Sequence, residues 1–483
     1  MSSRSIKRNF LYNTAYQILL IITPLVTTPW LSRTIGAAGN GIFTYTQSIA
    51  NYFVLVSTLG ISNYGVREVA ACGDDRIERS RVFWETITMS ASVGLLVLVV
   101  YIAYVIILGG EYKLYWILWG MWVLGSVADP SWLFFGCQEF RMPTIRSFAT
   151  RLLSVVAILY FVRDAGDTWA YVAAISGAYM LNSLLLWPFV CRHVDWYRPS
   201  INAALSRLAP NITLFVPVLA VSLYTLMDKV MLKSMTDVFQ VGLYDYAEKI
   251  SKMPMAVVTA LGAVVLPKMT EVVSAGRLEE GVRLVGDTMW FMLACAFALS
   301  FGIAAVAPEF VPLFFGEGYE ACVTLMRVLC SVIPLICATN VLGVQYLLPC
   351  HRDRDFTLSV ILGAIVNVFV NLLAIPKAEA MGAAWATVVS EVVVLLIQVW
   401  VVRKELPIFR MLTDSLPFIF MGLIMLVGVR LFVSVIGLSV PSISGLAAEV
   451  MTGAFIYLTL AWGWCNITHN ERLQRILPSF AKW

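Results

Sequence analysis

Charge is what this sequence has least of. Only 13% of its 483 residues are Asp, Glu, Lys or Arg, about half the ~25% of an ordinary soluble domain, so a water-facing surface cannot be built over a chain of this size. Long polar stretches are equally scarce. The longest, Cys191 to Asn211, holds about twenty residues, and other connections are as short as Gly109–Lys113 and Pro376–Ala380. That excludes an extramembrane catalytic domain. Histidine is nearly missing: His193, His351 and His469 lie far apart without ligand spacing, and no metal site is assigned. No Gly-x-Ser-x-Gly elbow, phosphate-binding loop or metal motif occurs, so neither lipase chemistry nor ATP hydrolysis has residues to run on, and any driving force must come from an ion gradient or from the substrate's own. The nine cysteines lie in apolar runs or mostly on one side of them, with Cys322 nearly alone opposite. They read as small apolar residues rather than a disulfide framework. The net charge of +4 carries no basic run of the kind that binds nucleic acid.

What the chain does have is apolar length. Hydrophobic residues make up 59% of it, in runs of about 20 that would each cross the ~30 Å hydrocarbon layer as a helix. Windows between charged, Gly or Pro breaks give 11–34, 42–65, 83–108, 114–135, 147–162 and 169–190. They continue at 212–235, 241–266, 288–307, 325–348, 357–375, 382–402, 416–436 and 446–465, about fourteen spans in all. The first run follows Arg4, Lys7 and Arg8 like a signal peptide, but it is too long and lacks a small-residue cleavage site; it is expected to stay as an uncleaved span.

Orientation follows from where the basic residues fall. With the N-terminus inside, the inner loops receive the Arg76/Arg79/Arg81, Arg141/Arg146/Arg151, Arg192/Arg198/Arg207, Lys268/Arg277/Arg283, Arg352/Arg354, Arg403/Lys404/Arg410 and Arg472/Arg475/Lys482 groups. Only Arg33, Lys113, Arg163, Arg327 and Lys377 fall near the outer face. Such asymmetry places both ends in the cytoplasm. Two glycosylation sequons, at Asn211 and Asn466, then lie at inner span ends and read as chance.

A repeat at an offset of 201 matches Gly41, Tyr45, Ile49, Val56 and Thr58 with Gly242, Tyr246, Ile250, Val257 and Thr259. Copies six spans apart enter the membrane with the same orientation, which implies two lobes related by an axis along the membrane normal. The expected architecture is an all-α polytopic membrane protein with two pseudo-symmetric six-helix lobes, 1–190 and 212–402. A cytoplasmic linker, 191–211, joins them, and 403–483 supplies two further helices and a tail. Transporters often bind substrate between such repeats.

Ionisable residues inside a bilayer are functional candidates by default, and this chain gathers them in spans seven and eight: Asp228, Lys229, Asp245, Glu248, Lys249 and Lys252. Asp245, Glu248, Lys252 and Thr259 fall on one helical face, and offset-matched Thr44, Gln47, Asn51 and Thr58 form the same stripe on span two. The stripes are expected to face a central aqueous cavity; the alternative is buried ion pairs, such as Asp228 with Lys249, that lock helices together. Glu391 and Arg430, in spans twelve and thirteen, suit either a mutual pair or a transport role. Asn340, Gln345, Asn367 and Asn371 are expected to bond between helices. Pro24, Pro217 and Pro334 permit bends in spans one, seven and ten.

Three segments resemble the polysaccharide flippases of the MOP superfamily, the Wzx or RfbX-like oligosaccharide transporters. The first runs from Leu31 through Arg33, Gly36, Gly41 and Phe43 to Gln47, and on through Gly60, Tyr64, Gly65 and Arg67 to Glu68. The second holds Asp129, Trp132, Gly136, Glu139 and Arg141, with two residues rather than none between the Asp and the Trp, which puts an equivalent role for Asp129 in doubt. The third holds Asp228, Lys229, Gly242, Tyr244, Glu248, Lys249, Pro254 and Pro267, supported by Gly316–Gly318 and Gly382–Thr387.

The resemblance implies a non-enzymatic transporter of polyprenyl-pyrophosphate-linked oligosaccharide repeat units, moved by alternating access to the outer leaflet of a bacterial cytoplasmic (inner) membrane for surface polysaccharide or O-antigen synthesis. Membrane lipids and the polysaccharide polymerase machinery would be its neighbours, with no nucleic acid and no bound cofactor beyond H⁺ or Na⁺ coupling. On that reading Lys229, Lys249 and Lys252 would attract pyrophosphate, Gln47 and Asn51 would meet sugar hydroxyls, and Arg33 would assist release. Asp228, Glu248 and Glu391 would be the ion-coupling groups. A lipid II flippase would be expected to carry a more arginine-rich cavity, a MATE-type exporter twelve spans, and a membrane glycosyl polymerase or ligase a larger outer loop.

Overall fold

The computed structural model describes residues 19–20, 22–436 and 442–468, except the side chains of 213–214, 216–218, 220–221, 223–224 and 256–264. Arg4, Lys7, Arg8, His469, Arg472, Arg475, Lys482 and the side chains of Pro217, Val257 and Thr259 therefore lie outside the described residues. Every regular element among the described residues is helical, as a bilayer requires of a chain whose backbone groups must bond within their own segment.

Among the described residues eight helices are long and apolar enough to cross a membrane by length and composition alone: Arg76–Leu108, Arg141–Phe161, Ala165–Val190, Leu278–Phe315, Glu320–Leu347, Asp353–Val402, Ile408–Ile436 and Ile443–Ile467. One of them is two passes. Asp353–Val402 would be about 75 Å long if straight, against ~30 Å of hydrocarbon, and it folds back at Glu379 (φ 50°, ψ −129°), three residues past Pro376. The polar-striped helices fall outside the eight: α12 has only 15 residues, and the 23 residues of α2 carry Thr44, Gln47 and Asn51 in their middle.

Two compact units divide the chain at Gly242–Leu243. The first contains α1 (22–34), α2 (Gly36–Thr58), α3 (Ile61–Ala71), α4 (Arg76–Leu108), α5 (Lys113–Val127), α6 (Ser131–Gly136), α7 (Arg141–Phe161), α8 (Thr168–Leu184), α9 (Trp187–Val190), α10 (Ile201–Ser206) and α11 (Leu208–Met235). It ends inside α12 (Val238–Lys252). The span expected at 42–65 breaks into α2 and α3 at Leu59 and Gly60, whose φ values of 44° and 74° end the helix in the left-handed region. Its apolar core has two parts. Phe43 stacks on Tyr171 with centroids 3.9 Å apart, among Trp116, Trp119 and Tyr101; Phe83, Trp132, Leu133 and Phe134 form the other.

The repeat is visible at one crossing inside this unit. A Cβ added to Gly41 would stand 1.7 Å from the Val238 carbonyl oxygen, and one added to Gly242 would stand 1.8 Å from that of Ala37. Since 37 and 41 match 238 and 242 at the offset of 201, each contact is the image of the other. Such reciprocity is the mark of an approximate two-fold, and only glycine lets the two backbones come this close.

The second unit holds the rest of α12, α13 (Met255–Ser274), α14 (Leu278–Phe315), α15 (Glu320–Leu329), α16 (Val332–Asn340), a π-helical turn (Val341–Leu347), α17 (Asp353–Val402), α18 (Ile408–Thr413), α19 (Leu416–Ile436) and α20 (Ile443–Ile467). Span ten breaks at Cys330–Ser331, one turn before Pro334, where the missing N–H was expected to permit a bend. A sulfur-rich core of Met269, Met289, Met292, Cys330 and Cys337 fills one part of this unit, and Trp290, Phe418, Met425 and Tyr457 fill another.

Candidate functional site

The stripe on α2 forms as the spacing predicts. Thr44 is 3% exposed, while Gln47, Asn51 and Thr58 are half-buried on the same helix. Asp228 of α11 is buried and lies close enough to Tyr52 of α2 for its charge to act on the phenol. Lys229 follows it, half-buried. Arg33 is exposed on α1, and its guanidinium donates to the Pro29 carbonyl one turn back at 3.0 Å.

On α12 the two lysines are ion-paired along their own helix. Lys249 Nζ is 2.9 Å from Asp245 Oδ2, and Lys252 Nζ is 2.7 Å from Glu248 Oε1. Each acid precedes its lysine by four residues, the order that sits best with the helix dipole. Asp245, one turn back on the same helix, is thus a direct partner of Lys249. α12 stops at Lys252, and Met253–Pro254 separate it from α13, since proline supplies no N–H at that step; Thr259, the last member of the expected stripe, lies outside the described side chains.

Glu391 is 4% exposed on the second arm of α17. One turn before it, Thr387 meets the Tyr244 hydroxyl of α12 at 3.0 Å, so Glu391 shares the face of α17 that packs on α12. Arg430, suggested as its partner, instead binds Glu309 Oε2 at 2.6 Å and the Ala305 carbonyl at 3.2 Å. Sequence gives a residue's depth along a span but not which neighbour its face meets. The amides bond both along their own segments and between helices: Asn371 donates to Asn367 at 3.1 Å and Gln345 to Asn340 at 3.2 Å, while Gln345 also donates to the Met292 sulfur of α14 at 3.5 Å.

One polar region of the first unit was overlooked. Arg146 and Arg151 had been counted with the inner loops, yet both stand on α7. Arg146 is 9% exposed and 3.6 Å from Asp129, whose carboxylate also caps α6 through the Ser131 amide at 3.1 Å. A cavity of about 260 Å³ is lined by Thr58, Ser126, Asp129, Tyr179 and Asn182. A second, of about 200 Å³, shares Tyr179 and Asn182 and adds Ser147, Thr150 and Arg151. The available signal was helical spacing: Ser147, Thr150, Arg151 and Ser154 recur at three- and four-residue steps. In the second unit a cavity of about 650 Å³, lined by apolar side chains such as Leu293, Phe297, Leu395 and Leu426 with Arg327 among them, opens between α14, α16, α17 and α19.

Several motif residues prove to be scaffold. A Cβ on Gly65 would come 2.4 Å from the Trp132 ring, and one on Gly136 would come 2.6 Å from Val69, so the first and second motifs lock α3 onto α6. Beside them Arg207 binds buried Glu85 at 2.6 Å and Glu68 at 3.6 Å.

Comparison with known proteins agrees with this architecture. The family described as "Polysaccharide biosynthesis protein" matches residues 6–273, more than half the chain. A protein of Escherichia coli (strain K12) named "Putative O-antigen transporter" is 22% identical over 83% of this chain and 97% of its own length. One of the same name from Shigella dysenteriae is 20% identical over 76% and 91%. Among solved structures, lipid II flippase MurJ in an inward closed conformation superposes with a TM-score of 0.74 over 96% of this chain and 99% of that one, at 13% identity. An inward-facing multidrug resistance MATE transporter of the MOP superfamily gives 0.59 over 80% and 98%, also at 13%. The chain belongs to the polysaccharide biosynthesis protein family and has the all-helical membrane fold of the MOP-superfamily transporters.

Proposed function

We propose that this protein is a flippase of the bacterial cytoplasmic membrane that carries polyprenyl-pyrophosphate-linked oligosaccharide repeat units from the inner to the outer leaflet by alternating access. It performs no chemistry on its cargo. About fourteen passes, as two six-helix lobes (1–190 and 212–402) joined by 191–211 and followed by 403–483, leave both termini in the cytoplasm. The sugar and diphosphate cannot cross hydrocarbon unaided, whereas the isoprenoid can remain in it. The protein need only shelter the head, and the apolar 650 Å³ cavity suits a stretch of tail.

The observation that carries this reading is the asymmetry of the α12 ion pairs. The Lys249 and Lys252 side chains keep 34% and 26% of their surface exposed, while Asp245 and Glu248 keep 5% and 13%. The accessible pole is cationic, which is what a diphosphate needs. Lys229 is likewise proposed to attract pyrophosphate, Gln47 and Asn51 to offer amides to sugar hydroxyls, and Arg33 to act at release. Asp228, Glu248 and Glu391 are the proposed sites for a coupling H⁺ or Na⁺.

Lys249→Ala is expected to abolish surface-polysaccharide export while the protein still inserts. Because that change also removes the 2.9 Å ion pair of Asp245, the double variant Asp245→Asn/Lys249→Met separates the roles. Export stays lost if the lysine serves the substrate. Export restored by the double variant, or normal in the single one, overturns the assignment.

A further inference from the structure

The α14–α19–α20 contact carries a charge imbalance that the proposed transport path does not use. Glu309 of α14 and Arg430 of α19 form one ion pair at 2.6 Å, and Arg430 also donates to the Ala305 carbonyl at 3.2 Å. Glu449 enters from α20. It is 1% exposed, and among the described residues its Oε2 accepts no hydrogen bond and it makes no ion pair. Glu309 and Arg430 are the charged groups whose fields reach it. Two carboxyl groups thus enter a region that holds one guanidinium, and that guanidinium is paired with Glu309.

The described side chains packed about Glu449 are mostly apolar. Below Glu449, Gly453 lets α20 lie against Val429 and Met425, and Tyr457 is committed to the Ala294 carbonyl at 2.7 Å. Phe418, Met421, Met425 and Val429 fill the core beside them. A carboxylate in such a place is relieved by a counter-ion or by a proton, and the guanidinium is already taken.

We propose that Glu309, Arg430 and Glu449 form a proton-binding site in the last two helices, with Glu449 as the group that takes up and releases the proton. The remaining pair stays neutral as Glu309⁻ and Arg430⁺, so protonation of Glu449 brings the cluster to zero net charge. When Glu449 gives up its proton it competes with Glu309 for Arg430. Contact of α19 with α14 then exchanges for contact with α20, which ties protonation to the seating of the final pair of helices. This site is separate from Asp228, Glu248 and Glu391, and does not depend on the identity of the cargo.

The test is infrared difference spectroscopy of the full chain in lipid nanodiscs, following the carbonyl stretch of a protonated carboxylic acid through a pH titration. A titrating acid band is expected, lost in Glu449→Gln and displaced in frequency in Glu449→Asp; the aspartate keeps the test open should the glutamine variant fail to fold. Glu309→Gln is expected to free Arg430 for Glu449, so the band also disappears there. An acid band unchanged in Glu449→Gln overturns the proposal. So does one that survives in Glu309→Gln, or one that responds to Na⁺ at fixed pH.

Discussion

Adding a single methyl group at the glycine crossing gives a sharp quantitative test of the repeat. In Gly41→Ala the new carbon would stand 1.7 Å from the Val238 oxygen, and in Gly242→Ala 1.8 Å from that of Ala37. An ordinary contact needs roughly twice that distance, so the two backbones must part by about 1.5 Å, an overpacking cost of about 1–3 kcal/mol for each single change. Both clashes sit at one crossing, and parting it once relieves both. The double variant is therefore expected to cost little more than either single one, a coupling of at least about 1 kcal/mol in a double-mutant cycle. Thermal unfolding of the purified protein in detergent, followed by loss of monodisperse material, reads the three values. Strictly additive losses, or single variants as stable as the parent, would refute the reciprocal contact.

Two further expectations concern the scaffold. Arg207→Met leaves Glu85, whose side chain is 3% exposed, without its 2.6 Å partner, and the loss is expected to be about 3 kcal/mol of stability; Arg81, 3.0 Å away on the same helix, keeps it from being larger. Asp195 is held below the ordinary carboxylate range by hydrogen bonds from Arg76. Its folded value is depressed, so its contribution is full above the ordinary value of about 4 and fades as pH falls through the folded value. Hydrogen exchange of the segment around Asp195 should accordingly rise only in that acid window, and a rise centred near neutrality would contradict the pairing.

Much of the fold was legible because membrane helices announce themselves by length. The windows 357–375 and 382–402 fall on the two arms of α17, and the stripe spacing placed Thr44, Gln47 and Asn51 on one face of α2. The misses share a cause: hydropathy gives depth but not rotation. Arg430 and Glu391 both lie in apolar spans, yet Arg430 turns to Glu309. Lys249 pairs with Asp245, an acid one turn away on its own helix, a partner that the four-residue spacing already allowed. Arg146 and Arg151 were assigned to a loop because charge near a span end looks solvated, although their helix starts at Arg141. Glu449 was visible within the 446–465 run, and it passed unnoticed because it lies far from the cluster in spans seven and eight. The Gly65, Trp132 and Gly136 motif residues show the opposite risk, since what resembles a functional signature is here a packing joint.

The central claim is that the protein moves a lipid-linked sugar head across a bilayer, and the most direct measurement is leaflet accessibility in proteoliposomes. The purified chain would be reconstituted with a polyprenyl-pyrophosphate oligosaccharide, and a membrane-impermeant glycosidase would digest whatever reaches the outer leaflet. Protein-containing vesicles should expose nearly all of the oligosaccharide, against about half in protein-free vesicles, and Lys249→Ala should return the fraction to about half. Equal digestion with and without protein, or flipping of a lipid-linked peptidoglycan precursor in place of the oligosaccharide, would contradict the account.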